Sequence, residues 1–179
     1  FLGQGGRFIG LGFLVVVLLL PTLAMAQPGP QGVGKFGNFY EVLKEARTGS
    51  IDSQNQLAIM LATGHGAPKD PAAAAQWYEV TALRGSAEGQ LNLGMLYLTG
   101  EGVGEDLTKA VKWIQDAALN GHAKAQNLIG YFYERGLGVN ANPREAIEWY
   151  GRASVKGNFE AKGNLIRLGV PVPPTNIPE

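Results

Sequence analysis

The sequence predicts an all-α fold, an α/α superhelical solenoid of tandem 36-residue helix-turn-helix repeats. The main observation is that identical residues recur at one fixed spacing. Each period also carries two amphipathic helical stripes, with glycines at the same turn positions. A period of this length is typical of solenoids, whose units bury their apolar faces against their neighbours. The recurring columns are Gly64, Gly100 and Gly136; Gly66, Gly102 and Gly138; Ala74, Ala110 and Ala146; Trp77, Trp113 and Trp149; and Gly85, Gly121 and Gly157.

The repeat is expected to begin and end with half a unit. Apolar residues at helical spacing in Phe36–Arg47 predict a helix of the second type with no first helix before it. Three full units follow, and Asn158–Leu168 then predicts a first helix with no second helix behind it. The prediction places the solenoid at residues 36–169 and a proline-rich tail, extended or disordered, at 170–179.

The middle unit illustrates how each helix pair is delimited. Its first helix is predicted at Ala87–Thr99 and its second helix at Leu107–Asn120. Second helices are expected to start after Asp70, Asp106 and Asn142, because Asp and Asn side chains accept hydrogen bonds from the first free N–H groups of a helix. The glycine column that follows each second helix suits a left-handed residue that ends it.

The first 26 residues have the pattern of a secretory signal peptide. Arg7 is followed by the apolar run Phe8–Leu20, and then by Pro21 and the small-residue pattern 24–26. We expect cleavage after Ala26, a flexible leader at residues 27–35, and a periplasmic or secreted protein. The alternative is a retained membrane anchor, because residues 8–26 are uncharged and nearly long enough to span a bilayer.

Charge and cysteine content restrict the classes of partner and of stabilisation. The chain has 15 Lys and Arg against 15 Asp and Glu, and it has no cysteine. There is no basic excess to follow a phosphate backbone, so nucleic acid is not expected as a partner. Disulfides and thiolate metal sites are excluded, and packing alone must stabilise the fold.

The residues that could carry chemistry form no recognised catalytic pattern. His65 and His122 occupy non-equivalent repeat positions, without a carboxylate at ligand spacing. The glycine-rich segment 100–104 follows a predicted helix instead of a strand, which indicates a turn and not a dinucleotide-binding loop. No triad motif is present. The sequence predicts no catalytic residue, no cofactor and no metal site.

Two recurring columns are interpreted as structural. The tryptophan column is expected to pack between units, because a repeating core needs the same residue in each unit and a ligand site does not. If its ring is fully buried, replacing Trp113 with alanine should cost ~3 to 5 kcal/mol. The glutamine column, Gln54, Gln90 and Gln126, is expected to bond to neighbouring backbone groups.

The repeated motif resembles the Sel1-like repeat (SLR) family, which is related to the tetratricopeptide repeat. The resemblance covers about residues 50–168. It implies an α/α superhelix that mediates protein contacts, often in bacterial envelope or secreted proteins, with no catalytic residues to carry over. The motif in the middle unit comprises Leu93-Gly94, Leu96-Tyr97, Gly100, Gly102-Val103, Asp106, Lys109-Ala110, Trp113, Ala117-Ala118 and Gly121.

The candidate binding surface follows from the positions that do not repeat. Residues on the first helices opposite the core stripe change in character from unit to unit, and several of them are apolar. Such a face is free to serve a partner, and exposed apolar clusters usually mark contact sites. The alternative is that these side chains pack on adjacent first helices. The candidate partner-binding residues are Gln56, Ile59, Asn92, Met95, Thr99, Leu128, Tyr131 and Arg135.

The function predicted from the sequence is therefore that of an exported, non-enzymatic scaffold. It would bind another protein, as an assembly or regulatory adaptor of the cell envelope. A membrane contact is expected only if the signal segment is retained. The alternative class is a hydrolase or binding protein directed at cell-wall material.

Overall fold

The computed structural model describes residues 37–175, which contain eight α-helices and no strand. This confirms the all-α solenoid. The expected signal peptide at 1–26 and leader at 27–35 lie outside the described residues, as do residues 176–179 of the tail. The helices are α1 (Gly37–Arg47), α2 (Ile51–Thr63), α3 (Pro71–Leu83), α4 (Ala87–Thr99), α5 (Leu107–Leu119), α6 (Ala123–Arg135), α7 (Pro143–Val155) and α8 (Phe159–Arg167).

The ends of the helices follow the local signals. The side chains of Asp70, Asp106 and Asn142 each accept a hydrogen bond from the N–H three residues on, at 3.0, 2.9 and 3.3 Å. The first helices α2, α4 and α6 end at the column Gly64, Gly100 and Gly136, all in the left-handed region. The predicted starts of the second helices are thus confirmed, because capping depends on residues only a few positions apart.

Helices pack mainly against those next to them in the sequence, and glycine permits the closest approach within a unit. A Cβ at Gly94 would lie 2.7 Å from Ile114 Cγ1, so α5 could not approach α4 this closely over a larger residue. Ile166 occupies the equivalent place in α8, where its side chain is 61% exposed. No second helix packs on this side of α8 within residues 37–175.

The tryptophan column is not uniformly buried. Trp77 and Trp149 are 8% and 6% exposed, whereas Trp113 is only partly buried. Trp149 packs in an apolar cluster that includes Leu91 and Val111. One unit earlier, the positions of these two residues hold Asn55 and Ala75, which offer less apolar surface. The condition of full burial is therefore not met at Trp113.

The glutamine column links each first helix to the preceding second helix, as predicted. Its three side-chain amides donate to the carbonyl oxygens eight residues before them, at 2.9, 3.1 and 3.0 Å. Each buried amide thereby satisfies a carbonyl group near the end of the previous helix. The pairs are Gln54 with Ala46, Gln90 with Ala82, and Gln126 with Ala118.

The tail turns back onto the last helices of the solenoid. Gly169 ends α8 with a left-handed φ of 68°, and residues 170–175 have no helical or strand structure. Val170 and Val172 pack against the apolar cluster that α7 and α8 form. The tail thus covers part of the core at this end of the repeat. In residues 37–175, no helix has the length and apolar character needed to cross a membrane.

Candidate functional site

The surface predicted to bind a partner lies on the three first helices of the full units. We call it the first-helix face and define it by the eight candidate residues on α2, α4 and α6. Asn92 and Leu128 are partly buried, and the other six are exposed: Gln56, Ile59, Met95, Thr99, Tyr131 and Arg135.

The apolar part of the first-helix face is one column of three side chains. Ile59, Met95 and Tyr131 occupy equivalent positions in successive units and are 38%, 40% and 41% exposed. The adjacent first helices therefore leave more than a third of each side chain open to solvent. A column of this kind offers a partner apolar surface that is not used by the core.

Leu128 contributes less to this surface than the sequence suggested. It packs against the cluster that contains Ile129 and Phe132, so only part of its side chain faces solvent. The helical wheel places position 128 opposite the core stripe, but it cannot show how far a neighbouring helix reaches around that side.

Two polar residues of the first-helix face, Thr99 and Arg135, lie at the C-terminal ends of first helices and differ in their hydrogen bonding. The Thr99 hydroxyl donates to the carbonyl oxygen of Met95 in its own helix, at 3.2 Å. The Arg135 guanidinium lies over the ring of Tyr131, 5.8 Å from the centroid. An arginine held against an aromatic ring keeps its N–H groups at the ring edge, where they remain able to donate.

A polar network continues the first-helix face onto α8. Glu134 Oε2 accepts hydrogen bonds from the buried Tyr150 hydroxyl at 2.8 Å and from Arg167 Nη2 at 2.7 Å. Asn164 Nδ2 donates to Asn127 Oδ1 at 3.1 Å. These bonds join α6, α7 and α8.

Sequence reasoning missed this network because it followed the variable columns only through the third unit. Arg167 lies 36 residues after Tyr131, and Asn164 lies 36 after Leu128, so extending the columns by one period would have found both. The bond with Glu134 could not have been found in this way, because the two residues occupy different columns.

The charges of this network are set by its hydrogen bonds. The hydrogen bond from Arg167 is the largest effect and lowers the pKa of Glu134; burial opposes it, and the bond from Tyr150 lowers the pKa further. Burial raises the pKa of Tyr150, and its bond to Glu134 raises it further. Glu134 is thus an ionised carboxylate at neutral pH, with Tyr150 as a neutral donor.

His122 stands where a capping residue is found in the other units. Ser50 and Ser86 accept hydrogen bonds from N–H groups three residues on, at 3.2 and 3.1 Å, but His122 makes no such bond at the start of α6. Its Nδ1 is buried without a hydrogen-bond partner among the described residues. Burial lowers the pKa of His122; Lys124 and Lys156 lower it too, and Glu88 opposes them.

We expect His122→Ser to stabilise the protein by about 1 kcal/mol, because serine restores the missing cap. Because the pKa of His122 is lowered, the wild type should also lose stability as pH falls below about 6.5. The unfolded chain then binds a proton at His122 that the native protein binds less readily, and the variant lacks this effect. Thermal melts at pH 7.5 and 5.5 measure both effects, with exposed His65→Ser as the control. A variant with the same stability and pH dependence as the wild type would contradict this account.

The described residues contain no group of three or more His, Asp or Glu side chains placed to hold a metal ion. The two histidines differ in their surroundings: His65 is exposed in the turn after α2, and His122 is partly buried at the start of α6.

Comparison with known proteins agrees with this architecture. The Sel1 repeat matches residues 51–86, 87–122 and 123–158, which are the three full units. The crystal structure of a Sel1 repeat protein from Oxalobacter formigenes is 33% identical with a TM-score of 0.68, over 71% of this chain and 52% of that one. No curated protein matches the sequence significantly.

Two further structures resemble the chain. A protective antigen of uropathogenic Escherichia coli strains with an SLR fold is 31% identical with a TM-score of 0.71, over 76% of this chain and 30% of that one. Helicobacter pylori cysteine rich protein B is 23% identical with a TM-score of 0.59, over 72% of this chain and 98% of that one, a likeness of fold alone. The chain spans about half of the Oxalobacter protein and less than a third of the Escherichia protein.

Proposed function

The chain belongs to the Sel1 repeat family, whose members are typically scaffolds for protein–protein interaction, and we propose that it acts as a non-enzymatic scaffold that binds another protein through its first-helix face. The observation that carries this proposal is the column of Ile59, Met95 and Tyr131, which leaves three apolar side chains open beside core positions that repeat. Solenoids use such extended surfaces for binding.

The variation along this face supports a role outside the fold. Several core columns keep one residue type, as Ala74, Ala110 and Ala146 do, because these positions pack in the same way in each unit. The apolar column instead changes from isoleucine to methionine to tyrosine while staying exposed. Side chains of different shape in a row would give the surface its specificity for one partner.

We further propose that the protein is exported and that its partner belongs to the cell envelope. This proposal rests on residues 1–26, whose basic, apolar and small-residue segments follow the order of a signal peptide. The expected result is an exported form that starts at Gln27, found in the periplasmic or extracellular fraction by mass spectrometry of the intact N-terminus. A mature form that keeps residues 8–26 would support the membrane-anchored alternative.

The binding surface is tested with the double substitution Met95→Ser and Tyr131→Ser. Both side chains are exposed, so we expect the melting temperature to stay within a few degrees of the wild type and capture of the partner from envelope extract to be lost. The matched control is Leu83→Ser with Leu119→Ser, which removes two apolar side chains that are 68% and 63% exposed at the ends of α3 and α5.

Two outcomes would count against this surface. Capture that survives in the Met95 and Tyr131 variant, or is lost equally in the control, would show that the partner binds elsewhere. A large fall in stability would show that the column is part of the core.

A further inference from the structure

We propose that Tyr131 and Arg135 of the first-helix face, together with Arg167 on α8, bind a carboxylate side chain of a partner peptide, next to an apolar side chain of that peptide seated on Met95. This inference rests on the proposed function, because it concerns the chemistry of the partner at the same surface. The occupant is a peptide segment in which an acidic residue lies near an apolar one.

Glu134 is the carboxylate that lies beside both arginines. Its side chain is only 15% exposed, and Oε2 already accepts from Tyr150 and Arg167. It fixes one arginine and ties α6 to α7 and α8. Glu134 is therefore engaged inside the protein and neutralises at most one of the two guanidinium charges.

Arg135 has N–H donors that are largely unused. Its Nε lies 4.0 Å from Glu134 Oε1, which is beyond hydrogen-bond distance, and its side chain is 58% exposed. It donates no hydrogen bond to any acceptor in residues 37–175. Its guanidinium lies over the ring of Tyr131, 5.8 Å from the centroid. The fork of N–H donors of an arginine matches the two oxygens of a carboxylate.

Arg167 is the second positive charge beside Glu134. Its Nη2 bonds to Glu134 and lies 3.4 Å from Asn164 Oδ1, yet the side chain remains 49% exposed. Arg135 and Arg167 each lie within 4.0 Å of a different oxygen of the same Glu134 carboxylate. Two positive charges beside one negative charge leave one positive charge for an incoming anion.

The apolar column explains why the anion belongs to a peptide. Tyr131 belongs to the exposed apolar column and also lies under the guanidinium of Arg135. Met95 lies one unit before it on the same face. A free anion would use only the guanidinium groups. A peptide with neighbouring acidic and apolar side chains would use the charge and the apolar surface together.

The test selects peptides from a displayed library of random decapeptides, using the full chain as bait. We expect the wild type to enrich Asp or Glu near an apolar residue. Arg135→Gln should lose the acidic enrichment, and Arg144→Gln, which changes an exposed arginine on α7, should keep it. Arg167 is left intact because its bond to Glu134 anchors α8.

A binding titration by fluorescence anisotropy then measures the coupling directly. Replacing the acidic residue of a selected peptide by its amide should weaken binding to the wild type about tenfold, and should have little further effect on Arg135→Gln. Selection of neutral or basic peptides, selection of none, or equal binding by wild type and Arg135→Gln would overturn the inference.

The outcomes separate this inference from the proposed function. If the Met95 and Tyr131 variant loses its partner but acidic peptides are not enriched, the surface is correct and its carboxylate chemistry is wrong. If that variant captures its partner normally, the proposed surface fails, and the inference fails with it.

Discussion

Replacing Trp149 with alanine is expected to destabilise the protein by about 4 kcal/mol, more than the same change at Trp113. Trp149 is 6% exposed and packs against a cluster formed by α4, α5 and α6, so its loss opens a cavity between two units. Trp113 is only partly buried, and its removal should cost about 2 kcal/mol. The recurrence of the residue alone would predict equal losses.

Urea unfolding followed by circular dichroism measures the difference, with the slope of the transition as a check that both variants unfold as the wild type does. Equal losses for the two variants would show that burial in the native structure does not decide the cost. A loss below about 1 kcal/mol at Trp149 would contradict its packing between units.

The second large effect is expected at Gly102, where alanine should cost about 3 kcal/mol. Gly102 has a φ of +78°, a region that alanine adopts only with strain. A Cβ there would also overlap the carbonyl group of Pro71 at the start of α3, in the preceding unit. Backbone atoms cannot move aside as a flexible side chain can, so the contact between the turn and the neighbouring unit would have to open.

Gly104 provides the matched control within the same turn. It is not among the glycines with positive φ, and a Cβ there would meet nothing within 4 Å. Gly104→Ala should therefore change the free energy of unfolding by less than about 1 kcal/mol. The same denaturation experiment compares the two variants, and similar losses at both positions would show that the close approach to Pro71 contributes little.

The fold was predictable from the sequence because its determinants are local and repeated. Asp106 caps α5 through an N–H three residues away, and Gly100 ends α4 through its own backbone conformation. Neither requires knowledge of a distant contact. The bond from Gln90 to Ala82 could also be anticipated, because a position that recurs in every unit indicates a shared internal partner.

The candidate site was only partly predictable. The helical wheel identified Met95 and Tyr131 as outward-facing, and both are exposed. It placed Leu128 on the same outward face, although Leu128 packs against the neighbouring core cluster. Whether the exposed column binds a partner stays a prediction.

What the sequence by itself determined is the period, the helices, their capping and the columns that face the core. Only the tertiary structure decided how deeply Trp113 is buried, and that Glu134 joins Tyr150 and Arg167 across three helices. The physical reason is that burial and hydrogen bonding depend on the residue across each interface. Glu134 and Arg167 lie 33 positions apart, in different columns of the repeat, and meet only because α8 packs back onto the unit before it.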